Sequence, residues 1–451
     1  MKNKRYSFPL DSPFIDSVIH KEEIDLNYIG IRELNHLVTR FETHFGIEFH
    51  RFEFGIPGFK AERIGPEEEI RVLKNNEMLP STYPPYDGIP RLKEAAADFV
   101  KKFLNIDVSP ENCIPTVGAM QGDFVCQAIA CRRRKESDTI LYLDPGFPVN
   151  KLQAKFLGLK IESIDFYDCR GSKLIEKLEQ SFSSGKIGAL LWSNPNNPTW
   201  ICLKEKELEG IGNLLTEYDV IGIEDAAYLG MDFRFDYGVP GEPPFQPTVA
   251  RYTDNYFIVI SGSKIFSYAG QRVAVTIISP KLMNRKYSNL MMYYDTEILG
   301  EAFVRGGVYL TTAGVPQTTQ HALAALFEAA CSGEYDFLRN ARRYGTRAKK
   351  VKEIFLTKGF DLLYHEDMGE PIADGFYFTI RRDKMTGGEL LYHMLLFGMA
   401  GIPLKPTGTL REGVRICISL IHEDQFEELE KRVLALDSYL KRYNMTDWDT
   451  K

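Results

Sequence analysis

Short apolar segments alternate with amphipathic segments through the middle of the chain. Between about residues 109 and 280, runs rich in Val, Ile and Leu end at Gly, Pro, Asn or Asp. Such runs are typical of strands buried on both faces, and the stretches between them have helical periodicity. This alternation predicts an α/β fold with a mainly parallel sheet. The predicted strands cover residues 139–144, 160–165, 187–192, 220–224, 256–260 and 272–278.

A different pattern begins near residue 314. Two long helices are predicted at 317–331 and 335–358, and strands follow at 360–365, 375–382 and 414–419 before a charged terminal helix. This order predicts a second, smaller α+β domain. The predicted domains are an N-terminal arm with part of the small domain (1–60), a large domain (61–325) and a C-terminal small domain (326–451).

The composition narrows the class of protein. With 451 residues, 44% of them hydrophobic and 26% charged, the chain is typical of globular proteins. Its net charge of −7 argues against nucleic acid or an anionic membrane as the main partner. The basic start lacks the apolar stretch of a secretory signal, so we expect a cytoplasmic protein. Seven scattered cysteines without a Cys-x-x-Cys motif predict buried thiols and no metal site.

Polar residues follow three of the predicted strands. The segments are Ser193-Asn-Pro-Asn-Asn-Pro-Thr199, Glu224-Asp-Ala-Ala-Tyr228 and Ser261-Gly-Ser-Lys264. Each alone is compatible with a turn, a helix cap or a solvated loop. Ligands of open parallel sheets bind at the carboxyl ends of the strands, where these segments would meet. A lysine amine beside a carboxylate and hydroxyl groups is suited to Schiff-base catalysis.

In this order the motifs resemble those of the class I/II aminotransferases, which are pyridoxal 5′-phosphate (PLP) enzymes of fold type I in the aspartate aminotransferase superfamily. The matching pieces are Gly55-x-Pro57, residues 83–93, Gly118-Ala-Met-Gln, Asp144-Pro-Gly-Phe-Pro, Asn194 to Thr199, Asp225-Ala-Ala-Tyr228, Ser261-x-x-Lys264, Arg272 and Arg415. The resemblance implies PLP as cofactor, a large domain with a seven-stranded, mainly parallel sheet covered by helices on both faces, and a homodimer with shared active sites.

The resemblance also implies roles for residues at the reacting end of PLP. Lys264 matches the lysine that forms a Schiff base with the cofactor and moves the proton at the substrate Cα. Asp225 matches the carboxylate that keeps the pyridine nitrogen protonated. Asn197 and Tyr228 match the pair that hydrogen-bonds to the phenolic oxygen.

Other residues match the positions that hold the phosphate, the ring and the substrate. The implied phosphate ligands are Gly118, Ala119 and Met120 at a predicted helix N-terminus, with Ser261, Ser263 and Arg272. Phe147 matches the aromatic residue that stacks on the ring, and Tyr83 matches the residue that reaches the neighbouring subunit's phosphate. Arg415 matches the arginine that binds the substrate carboxylate, which Gly55 and Asn197 flank.

Two positions bear on substrate choice. Trp200 stands where the family usually has glycine after Asn-Pro-Thr, so the turn is expected to avoid positive φ and substrate access to be altered. Arg305 lies in a region from which relatives direct a second arginine at a side-chain carboxylate, and a plain surface position is equally compatible with the sequence.

The leading hypothesis is an aminotransferase that moves an amino group from an amino acid to a 2-oxo acid through Lys264. A C–S β-lyase, a cyclopropane-forming synthase or a decarboxylase would use the same cofactor residues. A non-catalytic PLP-binding regulator is another alternative, although residues 1–60 show no basic helix-turn-helix pattern. The chain lacks Gly-x-Gly-x-x-Gly and P-loop strings, which argues against nicotinamide and P-loop enzymes.

Overall fold

The computed structural model describes residues 7–446, with side chains up to Arg442. The termini of the predicted arm and small domain, residues 1–6 and 447–451, lie outside the described residues. The chain forms two compact units. The larger unit is Phe59–Asn197 with Ile201–Arg342, and the smaller unit contains the segments up to Gly58, Pro198–Trp200 and the segment from Arg343 onward. No helix within 7–446 is long and apolar enough to span a bilayer.

The secondary-structure elements are numbered in chain order. The strands are β1 His50–Arg51, β2 Cys113–Thr116, β3 Thr139–Asp144, β4 Lys160–Asp165, β5 Ile187–Ser193, β6 Ile221–Asp225, β7 Tyr256–Ser261, β8 Ala274–Ile278, β9 Asp361–Leu362, β10 Glu366–Asp367, β11 Glu370–Pro371, β12 Tyr377–Arg381, β13 Met399–Ala400, β14 Ile402–Pro403 and β15 Val414–Cys417. The helices are α1 Ser12–Lys21, α2 Ile31–Phe45, α3 Ile64–Asn75, α4 Pro90–Leu104, α5 Gly118–Arg132, α6 Pro148–Phe156, α7 Ser172–Phe182, α8 Glu205–Glu217, α9 Gly262–Ile265, α10 Pro280–Met283, α11 Met291–Tyr294, α12 Leu299–Glu301, α13 Leu310–Thr312, α14 Gln317–Cys331, α15 Arg342–Leu356, α16 Gly387–Leu396 and α17 Phe426–Thr446. A π-helix, Ala302–Tyr309, joins α12 to α13.

The larger unit is built on a seven-stranded sheet in the order β2-β8-β7-β6-β5-β3-β4. The strands from β7 to β4 pair in parallel, whereas β8 is antiparallel to both of its neighbours. The prediction of a mainly parallel sheet is therefore confirmed. The prediction missed β2, which contains Pro115 and lies at the sheet edge, where a residue without an N–H group is tolerated.

The register brings the carboxyl ends of the central strands together. Ser193 pairs with Asp225, and Asp225 pairs with Val259, two residues before β7 ends at Ser261. Helix α5 lies closely over these strands, because a Cβ at Gly122 would be 2.9 Å from Thr276 Oγ1 and 3.0 Å from Val259 Cγ1. This close packing places the N-terminus of α5 at the same edge as the strand ends. All seven cysteines are buried and none forms a disulfide, as predicted.

The larger unit extends past the boundary predicted at residue 325. Helix α14 packs on α3 and α4 of this unit, and Phe327 stacks on Phe99 with ring centroids 4.4 Å apart. The helix predicted to start at residue 335 starts at Arg342 instead. Asp336 Oδ1 accepts the N–H of Leu338 at 3.0 Å, and this turn competes with helix formation.

The smaller unit contains a four-stranded antiparallel sheet in the order β14-β15-β12-β9. In the central pair, Tyr377 lies opposite Cys417 and Thr379 lies opposite Arg415. Tyr377 and Arg415 are therefore diagonal neighbours on one face of the sheet. Strand β1, which precedes Gly55, pairs in parallel with β13 of the same unit.

Candidate active site

Asp225 and Lys264 lie at the ends of adjacent strands of the larger unit. Asp225 ends β6 and is buried, and its Oδ1 accepts the N–H of Ala227 at 3.0 Å. Lys264 is half-buried in α9, which directly follows β7. Burial raises the pKa of Asp225, while the Ala227 N–H and the charge of Lys264 oppose that rise. Both opposing contacts favour the ionised carboxylate.

A second buried carboxylate, Asp123 on α5, was not among the predicted site residues. Its Oδ2 accepts Asn150 Nδ2 at 3.5 Å, and its Oδ1 has no hydrogen-bond partner within the described residues. Burial, and then the charge of Asp225, raise the pKa of Asp123 well above its usual range. Because Asp225 has the N–H and the nearby amine and Asp123 has neither, we assign the proton of this pair to Asp123 and the charge to Asp225. A charged residue within an apolar helical stretch is the sequence signal for Asp123.

Gly118 and Arg272 form a tight corner at the start of α5. Gly118 has φ +69°, and a Cβ there would overlap Arg272 Nη2 and lie 2.9 Å from Arg272 Cζ. Arg272 is anchored by its Nη1, which donates to Ala269 O at 2.8 Å. The side chain of Val117, which precedes the helix, does not cap it. The guanidinium and the uncapped helix N-terminus together form a cradle of positive potential.

Ser261 is the last residue of β7, and Ser263 precedes Lys264 in α9. Ser261 Oγ accepts the N–H of Ser263 at 3.1 Å, and both serines are buried. This bond caps α9 and fixes the turn that presents Lys264. The structure thus brings together Asp225 and Lys264 at one place and Gly118 and Arg272 at another along the same sheet edge.

The remaining cofactor residues of the prediction are spread around the larger unit's strand ends. Asn197 and Tyr228 are buried, and the N–H of Asn197 donates to Ser193 Oγ at 3.2 Å. Phe147 is half-buried in front of α6, which follows β3. Tyr83 is 89% exposed. Ala119 is half-buried and Met120 partly exposed in the first turn of α5.

The predicted substrate residues, Gly55 and Arg415, lie together in the smaller unit. Arg415 is 2% exposed, and its Nη2 donates to Glu53 O at 2.7 Å. Its Cζ lies 4.5 Å from the ring centroid of Tyr377. A Cβ at Gly55 would overlap the Tyr377 hydroxyl. Tyr377, which the sequence reasoning missed, therefore connects the two predicted residues, and a water-facing arginine on an edge strand is ruled out.

Known proteins resemble this chain in sequence. A family model of aminotransferase class I and II matches residues 67–384. The chain belongs to this family. It is 25% identical over 253 residues to a probable aspartate aminotransferase of Methanocaldococcus jannaschii, which covers 56% of this chain and 61% of the relative. It is 24% identical over 244 residues to an aspartate aminotransferase of Pyrococcus horikoshii, covering 53% and 58%. These alignments span less than two thirds of the relatives' lengths.

Solved structures share the fold over nearly the whole chain. An aspartate aminotransferase from Thermus thermophilus with maleate superposes with a TM-score of 0.72 at 18% identity, covering 90% of this chain and 96% of that one. An aspartate aminotransferase from Thermotoga maritima gives a TM-score of 0.71 at 19% identity, covering 93% and 99%. The fold predicted from the motifs is thereby confirmed.

Trp200 is the clearest departure from the family's usual Asn-Pro-Thr-Gly sequence. The expectation that a tryptophan would avoid positive φ is wrong, because Trp200 has φ +64° and is fully buried. A left-handed conformation costs a residue with a Cβ about 1–2 kcal/mol. Its indole lies where a Cβ of Gly375 would be, so burial of the ring in the smaller unit offsets the backbone cost.

Arg305 lies on the π-helix with its side chain exposed. Its predicted contact with a substrate side chain stays a prediction. The π-helix itself was not predicted from the sequence, and such segments occur mostly as short insertions near functional sites.

Proposed function

We propose that this member of the aminotransferase class I and II family is a PLP-dependent aminotransferase that moves an amino group from an amino acid to a 2-oxo acid. The observation that carries the proposal is the arrangement along one sheet edge: the Asp225 carboxylate and the Lys264 amine beside the cradle of Gly118 and Arg272. Family membership and relatives named aspartate aminotransferases favour transamination over the other reactions of PLP enzymes.

The residues of the larger unit fit PLP. The cradle offers backbone N–H groups and a guanidinium for the phosphate dianion, and it has no room for a Cβ at Gly118. Asp225 offers a buried carboxylate to the pyridine N–H. Lys264 offers the amine for covalent attachment. When bound, PLP supplies an electron sink for the charge that develops at the substrate Cα.

Each residue of the chain then has a defined task. Lys264 holds the cofactor and, once the substrate amine replaces it, moves a proton at the substrate Cα. Asp225 keeps the pyridine nitrogen protonated, and Asn197 and Tyr228 donate hydrogen bonds to the phenolic oxygen. Arg415 binds the substrate carboxylate.

Three further groups complete this assignment. Ser261 and Ser263 add hydroxyl groups to the phosphate cradle, together with the N–H groups of Ala119 and Met120. Phe147 packs on the cofactor ring. Gly55 lines the substrate's path, where its missing side chain leaves the Tyr377 hydroxyl in place.

We further propose a homodimer formed through the larger unit. Its surface exposes large apolar side chains, with Phe156 83%, Met292 75% and Leu310 69% exposed. A groove of about 280 Å³ beside Phe156 is also lined by residues 306, 307 and 311. Apolar patches of this kind mark protein interfaces. The highly exposed Tyr83 would reach the second site from such a dimer. A cytoplasmic location stays a prediction.

The test is the visible absorption spectrum of the purified protein before and after a panel of amino acids, with 2-oxo acid and ammonia assayed in the same samples. Loss of the cofactor band with stoichiometric 2-oxo acid, reversed by a second 2-oxo acid, is expected. Ammonia release with an unchanged band would show a lyase instead. A protein that takes up no PLP, or a Lys264→Ala variant with the same spectrum, would refute the proposal.

A further inference from the structure

Trp200, Tyr377 and Arg415 form a continuous stack in the smaller unit. The rings of Trp200 and Tyr377 meet edge to face, with centroids 5.8 Å apart and an interplanar angle of 67°. The Arg415 guanidinium lies over the face of the Tyr377 ring, with its Cζ 4.5 Å from the ring centroid. All three side chains are at least 98% buried.

Three groups pack against Tyr377. The indole meets its ring edge to face, the Gly55 backbone lies against its hydroxyl, and the Arg415 guanidinium covers one face. Because Tyr377 and Arg415 are diagonal neighbours on one sheet face, the position of the ring sets where the guanidinium plane lies. The backbone carbonyl of Glu53 accepts one N–H of Arg415, and the Tyr377 ring covers one face of the planar guanidinium.

The backbone strain of Trp200 points in the same direction. A non-glycine residue held at φ +64° persists only where its surroundings over-determine it. Here the surroundings are Gly375, which has no side chain in the space of the indole, and Tyr377. The Trp200→Gly substitution would remove the backbone strain, and it would also remove the indole that supports the Tyr377 ring.

We propose that Trp200 is a positioning residue: it fixes the Arg415 guanidinium through Tyr377 and so sets the affinity for the substrate carboxylate. The inference rests on the proposed function, in which Arg415 binds that carboxylate. It assigns a role to Trp200, which stands where the family usually has the glycine of Asn-Pro-Thr-Gly.

The experiment compares two oxyamine probes on the PLP-loaded protein. Aminooxyacetate has a carboxylate and O-methylhydroxylamine has none. Each forms an oxime at the PLP carbon bonded to Lys264 and releases the Lys264 amine, which changes the absorption. The ratio of their second-order rate constants therefore measures carboxylate recognition alone. Trp200→Gly is expected to lower this ratio about tenfold, a loss of about 1.4 kcal/mol. Trp200→Phe is expected to restore part of it.

Three controls separate positioning from folding. Trp192→Phe changes a comparably buried tryptophan of the larger unit and is expected to leave the ratio unchanged, even if it lowers the melting temperature. Arg415→Gln is expected to abolish the preference for aminooxyacetate. Trp200→Gly added to Arg415→Gln is then expected to lower the ratio no further, because the residue through which it acts is gone.

The outcomes discriminate between the two proposals. If the wild-type protein reacts with neither probe, the proposed function fails. If both probes react and folded Trp200→Gly keeps the wild-type ratio, only the positioning role is overturned. If Trp200→Gly does not fold, Trp200→Phe decides: a lowered ratio supports the role, and a ratio matching that of Trp192→Phe overturns it.

Discussion

A single added methyl group tests the phosphate cradle. In Gly118→Ala the new Cβ would overlap Arg272 Nη2 and lie 2.9 Å from Cζ, so the guanidinium has to leave its position. The residue would also keep φ +69°, which costs a residue with a Cβ about 1–2 kcal/mol. The matched control is Gly185→Ala, because Gly185 has φ +70° and no other group lies within 4 Å of the place that its Cβ would take.

The two variants should lose similar stability and differ in cofactor affinity. Both should lose about 1–2 kcal/mol of unfolding free energy in urea titrations of the cofactor-free proteins. Only Gly118→Ala displaces a charged hydrogen-bond donor worth about 1.5–3 kcal/mol to a phosphate. Its dissociation constant for PLP should therefore rise roughly 10- to 100-fold.

Spectrophotometric titration with PLP measures both variants under one condition. Wild-type affinity in a folded Gly118→Ala protein would refute the cradle. An equal loss of affinity in Gly185→Ala would show that backbone strain alone, and not the position of Arg272, governs PLP binding.

Two further predictions concern buried carboxylates. Burial raises the pKa of Glu224 from 4.5 to about 7, so its contribution to stability is complete below pH 4.5 and is lost as the pH rises through 7. Relative to Glu224→Gln, the wild type should lose about 3 kcal/mol of unfolding free energy between pH 4.5 and 8 in urea titrations. Parallel pH profiles of the two proteins would contradict this. Because Asp123 holds the proton of its pair, Asp123→Asn should keep kcat within about threefold of the wild-type value. Asp225→Asn should lower kcat more than about 100-fold. Equal losses of kcat in the two variants would contradict our assignment of the charge to Asp225.

The local sequence was sufficient for six of the seven strands in the larger unit's sheet and for the residues at their carboxyl ends. Strands buried on both faces leave continuous apolar runs, and in a parallel sheet the residue that ends such a run is placed by the run itself. Asp225 and Lys264 were predictable for that reason. Strand β2 was missed because Pro115 reads as a strand breaker, a rule that fails at a sheet edge.

Residues whose roles depend on distant neighbours were not predictable. Asp123 is marked in the sequence only as a charged residue in an apolar helical stretch, and its burial near Asp225 is known only from the folded chain. Tyr377 looks like any strand aromatic, and only the β12–β15 register places it beneath Arg415. Helix α15 starts later than predicted because the N–H of Leu338 donates to the Asp336 side chain instead of to a helical carbonyl.

The backbone conformation of Trp200 is the clearest feature that tertiary structure, and not local sequence, determines. Local sterics disfavour positive φ for tryptophan, and the expectation for this turn followed that rule. The folded chain reverses it, because Gly375 leaves a space that only a large ring fills and the burial gained there exceeds the local backbone cost. Periodicity and strand ends are properties of neighbours in sequence, whereas this space exists only once residues far apart in the chain have packed together.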